Sequence, residues 1–205
     1  NEAAFILEQG SKIEKIDNLI KDFGMPMGPF TLADTVGVDV GYKVACILNE
    51  AYGNRMPIAS IIEKMYDAKL FGAKTEAGFY EYAGRDIYPN AHVTPMLENN
   101  NKIIEDEEIV QRCIYIMINE ASRCLEENIV TDASIIDFAM ISGTGFPAYK
   151  GGLLNYANEI GLKNILESLR KFEKEYGSRF TPSNLLIKLV EEYEDFETGE
   201  ALWKH

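Results

Sequence analysis

The chain has 205 residues, enough for one medium domain or two small ones, each with a hydrophobic core. Hydrophobic residues make up 46% and charged residues 26%, the balance of an ordinary soluble globular protein. The formal net charge of −13 repels phosphate backbones, so nucleic acid is not an expected partner. No apolar run approaches the roughly 18 residues of a membrane span, and no basic stretch followed by an apolar segment opens the chain. We therefore expect neither a transmembrane segment nor a signal peptide.

The cysteines and histidines indicate neither a disulfide framework nor a metal site. There are three cysteines, Cys46, Cys113 and Cys124, an odd number with no CxxC spacing, so we expect reduced thiols in a reducing, intracellular compartment. The two histidines, His92 and His205, have no cysteine or carboxylate neighbours at metal-ligand spacing. We interpret both as solvated surface residues.

No familiar catalytic or nucleotide-binding motif is present. The sequence contains no GxGxxG, P-loop, HExxH or GxSxG pattern, and no strand–helix alternation that could hold a dinucleotide. The sequence thus predicts no Rossmann domain, no cofactor site and no metal site in this chain.

An internal duplication is the most informative feature of the sequence. Short motifs recur in the same order at an offset that drifts from 118 to 124 residues. The pairs are Asn1-Glu2-Ala3 with Asn119-Glu120-Ala121, Ile16-Asp17 with Ile136-Asp137, Gly24-Met25-Pro26 with Gly145-Phe146-Pro147, and Gly37-Val38 with Gly161-Leu162. Glu2 and Glu120 recur beside apolar residues, and we interpret them as acceptors that tie a helix to a loop. Small insertions in loops would explain the drift, so the pattern predicts two tandem copies of one helical unit.

The predicted elements are almost all helices. In copy one, Asp39 is a candidate cap for a long helix whose predicted inward face carries Val40, Val44, Ile47, Leu48 and Ala51. The one strand-like piece is 78–82, and the stretch 84–101 is interpreted as a linker because it is irregular and carries two prolines. In copy two, apolar residues repeat every three or four positions from Ile109 to Leu125. We therefore predict an all-α chain with domains at 1–95, with the linker from about 84, and 96–205.

A Gly-Pro-rich segment is the candidate for substrate contact. Its prolines fix φ, its glycines permit close backbone approach, and its methionines and phenylalanine offer adaptable apolar surface. Such a segment suits one wall of a slot for an acyl chain, and it equally suits a rigid corner between two helices. Its residues are Met25, Pro26, Met27, Gly28, Pro29 and Phe30.

These motifs resemble the C-terminal domain of 3-hydroxyacyl-CoA dehydrogenases. The likeness covers Asn-Glu-Ala, the segment 24–30, and Gly72-Ala73-Lys74-Thr75 with Gly78-Phe79-Tyr80. Many relatives have two basic residues after the first glycine of that loop, where this chain has Ala73 and Lys74. Copy two is similar to the second such domain of multifunctional β-oxidation enzymes. The resemblance implies two helical domains of the 6-phosphogluconate-dehydrogenase C-terminal type.

The resemblance also implies where the chemistry lies. In that family an N-terminal Rossmann domain binds NAD, and a His–Glu pair on it removes the hydroxyl proton as hydride leaves. The family's catalytic Asn, followed by Arg, stands nine residues before the glutamate of Asn-Glu-Ala, which falls upstream of Asn1. In copy two the matching position holds Gln111, followed by Arg112. We therefore expect no catalytic residue in this chain, with Gln111 as a non-catalytic equivalent.

The expected function is that of the C-terminal part of an NAD-dependent 3-hydroxyacyl-CoA dehydrogenase of β-oxidation, itself inactive, with acyl-CoA and a Rossmann domain as partners of the whole protein. A homo-oligomer is expected too, because a face meant for the absent domain would be uncovered. The compartment would be the cytoplasm in bacteria, or the mitochondrial matrix or peroxisome in eukaryotes. Two alternatives stay open: a non-catalytic helical scaffold, and another β-hydroxyacid dehydrogenase.

Overall fold

The computed structural model of the chain describes residues 1–97, 102–193, 195–197, 199, 202 and 203. His205 and residues 98–101 of the predicted linker lie outside the described residues. The chain divides into two compact units, Asn1–Val110 and Gln111–His205. The domain boundary that the sequence predicts between residues 95 and 96 stays a prediction.

The first unit contains five helices in its described part: α1 (Glu2–Glu8), α2 (Ile13–Phe23), α3 (Pro29–Val36), α4 (Val38–Tyr52) and α5 (Ser60–Asp67). Helix α2 ends at Gly24, whose φ of 119° lets the backbone turn away through the left-handed region. Helix α3 opens with Pro29, whose missing N–H costs nothing in a first turn. Short 3-10 turns follow at Gly53–Arg55, Ala73–Thr75 and Thr94–Met96.

A β-hairpin departs from the all-α prediction. Strands β1 (Tyr80–Ala83) and β2 (Asp86–Pro89) pair antiparallel, so the strand predicted at 78–82 acquires a partner inside the predicted linker. Beyond β2, Asn90 and Val93 are buried, and the Asn90 side chain donates to the Gly78 carbonyl oxygen at 2.8 Å. The stretch 84–97 is therefore part of the first unit and not an irregular linker. All four residues of β2 are exposed. Because neither face of this strand is buried, its sequence does not show the alternation of apolar and polar residues by which a strand is recognised.

The second unit contains the same kinds of elements. Helix α6 (Asp106–Glu126) begins in the first unit and continues into the second, with an acidic first turn that suits the helix dipole. It is followed by α7 (Ala133–Ala139), α8 (Leu153–Ile160), α9 (Leu162–Tyr176) and α10 (Asn184–Glu192). A π-turn at Met140–Thr144 extends α7, and 3-10 turns occupy Ala148–Lys150 and Ser178–Phe180.

The core of each unit is formed by one stripe per helix. In α6 the buried apolar residues are Ile109, Ile114, Tyr115, Ile118, Ala121 and Leu125, the spacing of an amphipathic helix. In α9 they are Leu162, Ile165, Leu166, Leu169 and Phe172. The apolar repeat predicted from Ile109 to Leu125 is thus one helix with a buried stripe.

The predicted inward face of α4 is wrong. Helix α4 begins after Gly37, and Asp39 lies in its first turn. Val40, Val44, Ile47 and Leu48 are 42%, 49%, 65% and 37% exposed, and Ala51 is exposed as well. Periodicity identifies an apolar face but not what covers it, and here no described part of the chain buries it.

Candidate functional site

The Gly-Pro-rich segment is held in place by Asp17 of α2. This carboxylate is 2% exposed and accepts from the backbone N–H groups of Phe30 at 2.8 Å and Thr31 at 2.9 Å. Both donors belong to the open first turn of α3, so Asp17 does the work that an N-cap side chain usually does. A Cβ on Gly28 would lie 2.2 Å from the Asp17 Cγ, so only glycine lets the carboxylate approach.

The six candidate residues of this segment fall into two groups. Met25 and Met27 are half-buried and Pro26 is exposed, which leaves their side chains available on the surface of the first unit. Gly28 is buried, and Phe30 is 2% exposed with its ring centroid 4.4 Å from that of Phe79. Pro29 starts α3. Met25, Pro26 and Met27 are therefore accessible to solvent, whereas Gly28 and Phe30 are packed inside the turn.

A second buried carboxylate, Asp34, joins α3 to the hairpin. It accepts from the backbone N–H groups of Phe79 and Tyr80, both at 2.9 Å, and from the Tyr82 hydroxyl at 3.1 Å. Burial raises the pKa of Asp34, and the hydrogen bonds oppose that shift without cancelling it. A Cβ on Gly78 would lie 2.1 Å from the Asp34 Oδ1.

The hairpin tyrosines complete this network. The Tyr80 hydroxyl donates to Asp17 at 2.9 Å. Burial, and then the negative charge of the neighbouring aspartate, raise the pKa of both Tyr80 and Tyr82 well above the usual range. Both phenols therefore stay protonated donors, and the network holds the segment 25–30 against the hairpin.

Lys74 is engaged within the first unit. Its ammonium contacts the Asp39 carboxylate, which lowers the pKa of Asp39, and lies 5.7 Å from the centroid of the Phe71 ring. Both side chains are partly exposed, so the pair is a local clamp rather than a large source of stability.

The second unit repeats the arrangement around Asp137 of α7. This carboxylate accepts from the backbone N–H groups of Leu154 at 2.6 Å and Asn155 at 3.1 Å, in the first turn of α8. A Cβ on Gly152 would lie 2.3 Å from the Asp137 Cβ. Burial raises the pKa of Asp137. A cavity of about 500 Å³ opens beside it, partly lined by Glu197.

The two Asn-Glu-Ala motifs make matching hydrogen bonds through their asparagines. The Asn119 Oδ1 accepts from Ser183 N at 2.8 Å and its Nδ2 donates to the Thr181 carbonyl oxygen at 2.9 Å. In the first unit the Asn1 Oδ1 accepts from Ala59 N at 3.2 Å and its Nδ2 donates to the Pro57 carbonyl oxygen. The asparagines thus tie a helix to the loop before the last helix of each unit.

Glutamates at the ends of the same helices continue this pattern. Glu8 accepts from Ile61 N at 2.7 Å, and Glu126 accepts from Leu185 N at 3.4 Å. Glu2 is buried, and Glu120 lies 3.4 Å from the Arg123 Nε.

Gln111 and Arg112 lie in the second unit on α6. Gln111 is half-buried. Arg112 is fully buried, with its guanidinium carbon 3.8 Å from the centroid of the Tyr176 ring of α9. This stacking joins two helices of the core and is a structural contact.

Among the described residues, no group of three or more His, Cys, Asp or Glu side chains could hold a metal ion. His92 is exposed, and the three cysteines are half-buried and form no disulfide bond. Within the same residues, no helix has the length and hydrophobicity that crossing a bilayer requires.

The aspartate network was not predicted as part of the site. Asp17 and Asp137 were predicted only as halves of a recurring Ile-Asp pair, and no role was predicted for Asp34. The signal that could have found Asp17 is the combination of an aspartate on the apolar side of a helix with the Gly-Pro start of the next helix.

The chain thus has helical units in which an aspartate holds the start of a helix that follows a glycine. Residues 1–82 and 109–199 match the family model described as 3-hydroxyacyl-CoA dehydrogenase, C-terminal domain, and the chain belongs to this family.

Curated relatives agree with this assignment. A fatty acid oxidation complex subunit alpha from Vibrio cholerae is 38% identical over 194 residues, which are 91% of this chain and 27% of the relative. The subunit of the same name from Shewanella loihica is 34% identical over 199 residues, 93% of this chain and 28% of the relative. The chain thus spans little more than a quarter of the length of these relatives.

Solved structures share the fold. The dehydrogenase part of multifunctional enzyme 1 from C. elegans is 25% identical, with a TM-score of 0.66 over 91% of this chain and 44% of that one. The 3-hydroxybutyryl-CoA dehydrogenase of Escherichia coli gives a TM-score of 0.74 at 20% identity, over 92% of this chain and 57% of that one.

Proposed function

We propose that this chain is the C-terminal part of an NAD-dependent 3-hydroxyacyl-CoA dehydrogenase of fatty-acid β-oxidation. The whole protein would oxidise 3-hydroxyacyl-CoA to 3-ketoacyl-CoA, and this part would supply a wall of the substrate cleft and an interface with other domains. The observation that carries the proposal is the family match in two separate segments, joined to relatives of which the chain covers little more than a quarter.

We also infer that the chain contains two tandem copies of one helical unit, divided as 1–95 and 96–205. Three matched sets of hydrogen bonds support this inference: Asp17 with Asp137, Asn1 with Asn119, and Glu8 with Glu126. The backbone N–H donors of the two units stand 124 residues apart in every set: Phe30 and Leu154, Ala59 and Ser183, and Ile61 and Leu185. Unrelated helical units would have no reason to share these bonds.

In the first copy, the wall of the acyl-CoA cleft would be formed by Met25, Pro26 and Met27. Gly28, Pro29 and Phe30 would hold its shape through Asp17. Leu32 and Val36 of the following helix α3 are 48% and 53% exposed, so further apolar surface follows the segment closely in the sequence. Methionine suits the task because its flexible side chain adapts to acyl chains of different shape.

NAD does not fit the residues that the structure describes. The hairpin β1–β2 is the only sheet among them, and it carries no glycine-rich turn leading into a helix. The glycines at 28, 78 and 152 are packed against aspartate side chains and are not open to a phosphate. We infer that the cofactor is bound by another domain of the whole protein, together with most of the reacting groups.

The copy-two equivalent of the family's catalytic asparagine is Gln111, and we infer that it is not catalytic. The neighbouring Arg112 is buried against Tyr176, which supports a structural role for this part of α6. The catalytic asparagine of copy one would lie upstream of Asn1.

The exposed apolar face of α3 and α4 is the candidate interface with the cofactor-binding domain. Its residues are Leu32, Val36, Val40, Val44, Ile47 and Leu48. Positions 40, 44 and 47 correspond, 124 residues on, to Asn164, Ser168 and Lys171 of α9, where the matching face is polar. The fold therefore does not require apolar residues at these positions. We infer that the first copy has apolar residues there because a partner covers them. In the chain alone, two copies would associate through this face.

The two curated relatives, from Vibrio cholerae and Shewanella loihica, are bacterial, which favours the cytoplasm as the compartment of the whole protein, with its cysteines reduced.

The test compares the whole protein with this chain. The whole protein should oxidise NADH in the presence of acetoacetyl-CoA, measured by absorbance, and this chain should not. In the whole protein, Met27→Asp should raise KM for a long acyl-CoA about ten-fold or more, because a carboxylate replaces apolar contact. Lys171→Asp, on the polar face of α9, is the matched control and should leave KM unchanged. A whole protein that folds, binds NAD and shows no turnover would favour the helical scaffold instead.

A further inference from the structure

The cavity of about 500 Å³ beside Asp137 is lined by residues around the starts of α7 and α8 and by the segment 196–197. Four of the lining residues have equivalents in the first unit, at the offsets of 120 and 124 residues that relate the matched motifs. These four are Ser134, Asp137, Asn155 and Asn158, and they match Glu14, Asp17, Thr31 and Asp34.

In the first unit, the residues at three of these positions surround the Tyr80 hydroxyl. This hydroxyl donates to Asp17 at 2.9 Å, and the Thr31 side chain lies within hydrogen-bonding reach of it. Burial and then the neighbouring carboxylates, with Glu14 among them, raise the pKa of Tyr80, so its hydroxyl stays a donor. Tyr80 is 8% exposed, and its ring therefore fills this part of the first unit.

The fourth position meets a second phenol in the first unit. Asp34 accepts from the Tyr82 hydroxyl at 3.1 Å. The equivalent Asn158 accepts from the backbone N–H of Phe196 at 3.0 Å. Within the described part of the second unit, no hydroxyl donates to Asn158 or to Asp137. The positions that bind two phenols in the first unit therefore border an open cavity in the second.

Asp137 accepts fewer hydrogen bonds than its equivalent. The Asp17 Oδ2 accepts from Thr31 N at 2.9 Å, from Thr31 Oγ1 at 2.7 Å and from the Tyr80 hydroxyl at 2.9 Å. The Asp137 Oδ2 accepts from Asn155 N at 3.1 Å. Asp17 is 2% exposed, whereas Asp137 is half-buried. The carboxylate of the second unit thus has room for the donor that a tyrosine supplies in the first.

The remaining walls of the cavity indicate what else its ligand carries. Leu154 and Phe196 are each 1% exposed and offer apolar surface to an aromatic ring. Asp132 and Glu197 join Asp137 in the lining, so the site favours a positive charge and disfavours an anion. The volume falls within the range of about 300 to 1,000 Å³ that small-molecule sites occupy.

We propose that this cavity binds a small phenol that carries a positive charge. The phenol hydroxyl donates to the Asp137 Oδ2, as the Tyr80 hydroxyl donates to Asp17. The ring lies against the apolar wall, and the cation faces Asp132 and Glu197. The proposal rests on the equivalence of the two units, which is part of the proposed function, and it adds a ligand that the dehydrogenase reaction does not use.

The test is isothermal titration calorimetry of the 205-residue chain with three probes. Tyramine carries both the phenol and an ammonium group, phenethylamine lacks the hydroxyl, and N-acetyltyrosinamide lacks the charge. Tyramine should bind at least about ten-fold more tightly than phenethylamine, because only tyramine donates a hydrogen bond to the Asp137 carboxylate. N-acetyltyrosinamide should bind at least about three-fold more weakly than tyramine, because it forgoes the attraction of the carboxylates.

One variant places the binding in the cavity. Ser134→Trp puts a large ring into the cavity wall and leaves the backbone donors of Asp137 unchanged. It should weaken tyramine binding at least about ten-fold, because the introduced ring occupies the space of the ligand. The matched control is Ser142→Trp, at an exposed position of the same unit outside the cavity, which should keep the wild-type affinity.

Equal affinity for tyramine and phenethylamine would overturn the proposal. Unchanged tyramine binding by Ser134→Trp would overturn it too, provided that circular dichroism shows this variant to be folded. If N-acetyltyrosinamide bound as tightly as tyramine, the occupant would be a tyrosine of another protein and not a cationic small molecule.

Calorimetry needs no turnover, so its outcome is separate from that of the dehydrogenase assay. A folded chain that gives no heat with tyramine would contradict this site and leave the dehydrogenase assignment standing. Tyramine binding by the chain, with no NADH oxidation by the whole protein, would do the reverse.

Discussion

At the scale of single residues, three aspartates hold the starts of other elements: Asp17 and Asp34 are buried, and Asp137 is half-buried. Asp17 and Asp137 each accept two backbone N–H groups at the start of the following helix, and Asp34 does the same for the hairpin. A buried carboxylate without partners would cost several kcal/mol, so its hydrogen bonds decide whether the site folds. The glycines at positions 28, 78 and 152 have no Cβ, and this lets the aspartate side chains pack against the backbone there.

The raised pKa of Asp34 leads to a pH prediction. The folded chain holds a proton on Asp34 at pH values where the unfolded chain, with an ordinary value of 3.8, has released it. Its contribution to stability therefore falls as the pH rises from 3.8 through the raised value. Asp34→Asn stays neutral and should remove this part of the pH dependence. Urea unfolding at several pH values from about 4 to about 6 measures the effect.

Asn158 stands 124 residues after Asp34, and its Oδ1 accepts from Phe196 N at 3.0 Å, so an amide accepts a backbone N–H at that position. Asp86→Asn, at an exposed position of β2, is the matched control and should retain the wild-type slope. If Asp34→Asn and the wild type lose stability equally with rising pH, the account of Asp34 is wrong.

At the scale of elements, α4 and α9 are the clearest contrast. Both have 15 residues, both begin after a glycine with positive φ, and both end at a Tyr-Gly pair. Helix α9 buries five residues, whereas α4 buries only Val38. The outer face of α4 carries Val40, Val44 and Ile47, where α9 carries the polar residues Asn164, Ser168 and Lys171. The two helices therefore have the same length and the same kinds of ends, and they differ in the surface that they expose to a partner.

This contrast predicts the effect of exchanging one residue. Ile47→Lys copies Lys171 onto the 65% exposed position of α4 and should weaken self-association of the chain about ten-fold. The free energy of unfolding should change by no more than about 0.5 kcal/mol, because the site is on the surface. Sedimentation across a range of concentrations measures the association.

The reverse exchange, Lys171→Ile, should strengthen association by adding an apolar residue to α9. A chain that is monomeric at every concentration before any substitution would contradict the role assigned to the α4 face.

At the scale of the whole molecule, each unit has its own anchoring aspartate and glycine. Gly28→Ala places a Cβ 2.2 Å from the Asp17 Cγ, and Gly152→Ala places one 2.3 Å from the Asp137 Cβ, so each should cost about 1–3 kcal/mol through overpacking. Hydrogen exchange should become faster in α2 and α3 for the first variant and in α7 and α8 for the second. Gly41→Ala, where a Cβ meets nothing within 4 Å, should instead stabilise the chain by up to about 1 kcal/mol.

If Gly28→Ala accelerated exchange in α7 and α8 as strongly as in α2 and α3, the units would not be independent in their anchoring. Equal exchange in Gly28→Ala and Gly41→Ala would show that the close approach at position 28 is not required.

Part of this picture follows from the sequence alone. The helical class, the stripes of α6 and α9, the recurring motifs and the resemblance to the dehydrogenase family all depend on local periodicity and short patterns. Such patterns report which residues share a face and where a helix ends, because hydrophobic spacing and Gly-Pro geometry act over a few residues.

Other features depend on contacts between residues far apart in the chain, and only the tertiary structure decides them. Tyr80 is 63 residues from the Asp17 that it binds, and Tyr82 is 48 residues from Asp34. Neither partner could be chosen from the sequence, since an aspartate on an apolar face gives no indication of its donor. The same reason explains the misplaced face of α4: spacing identifies an apolar stripe, but burial is a property of whatever else packs there.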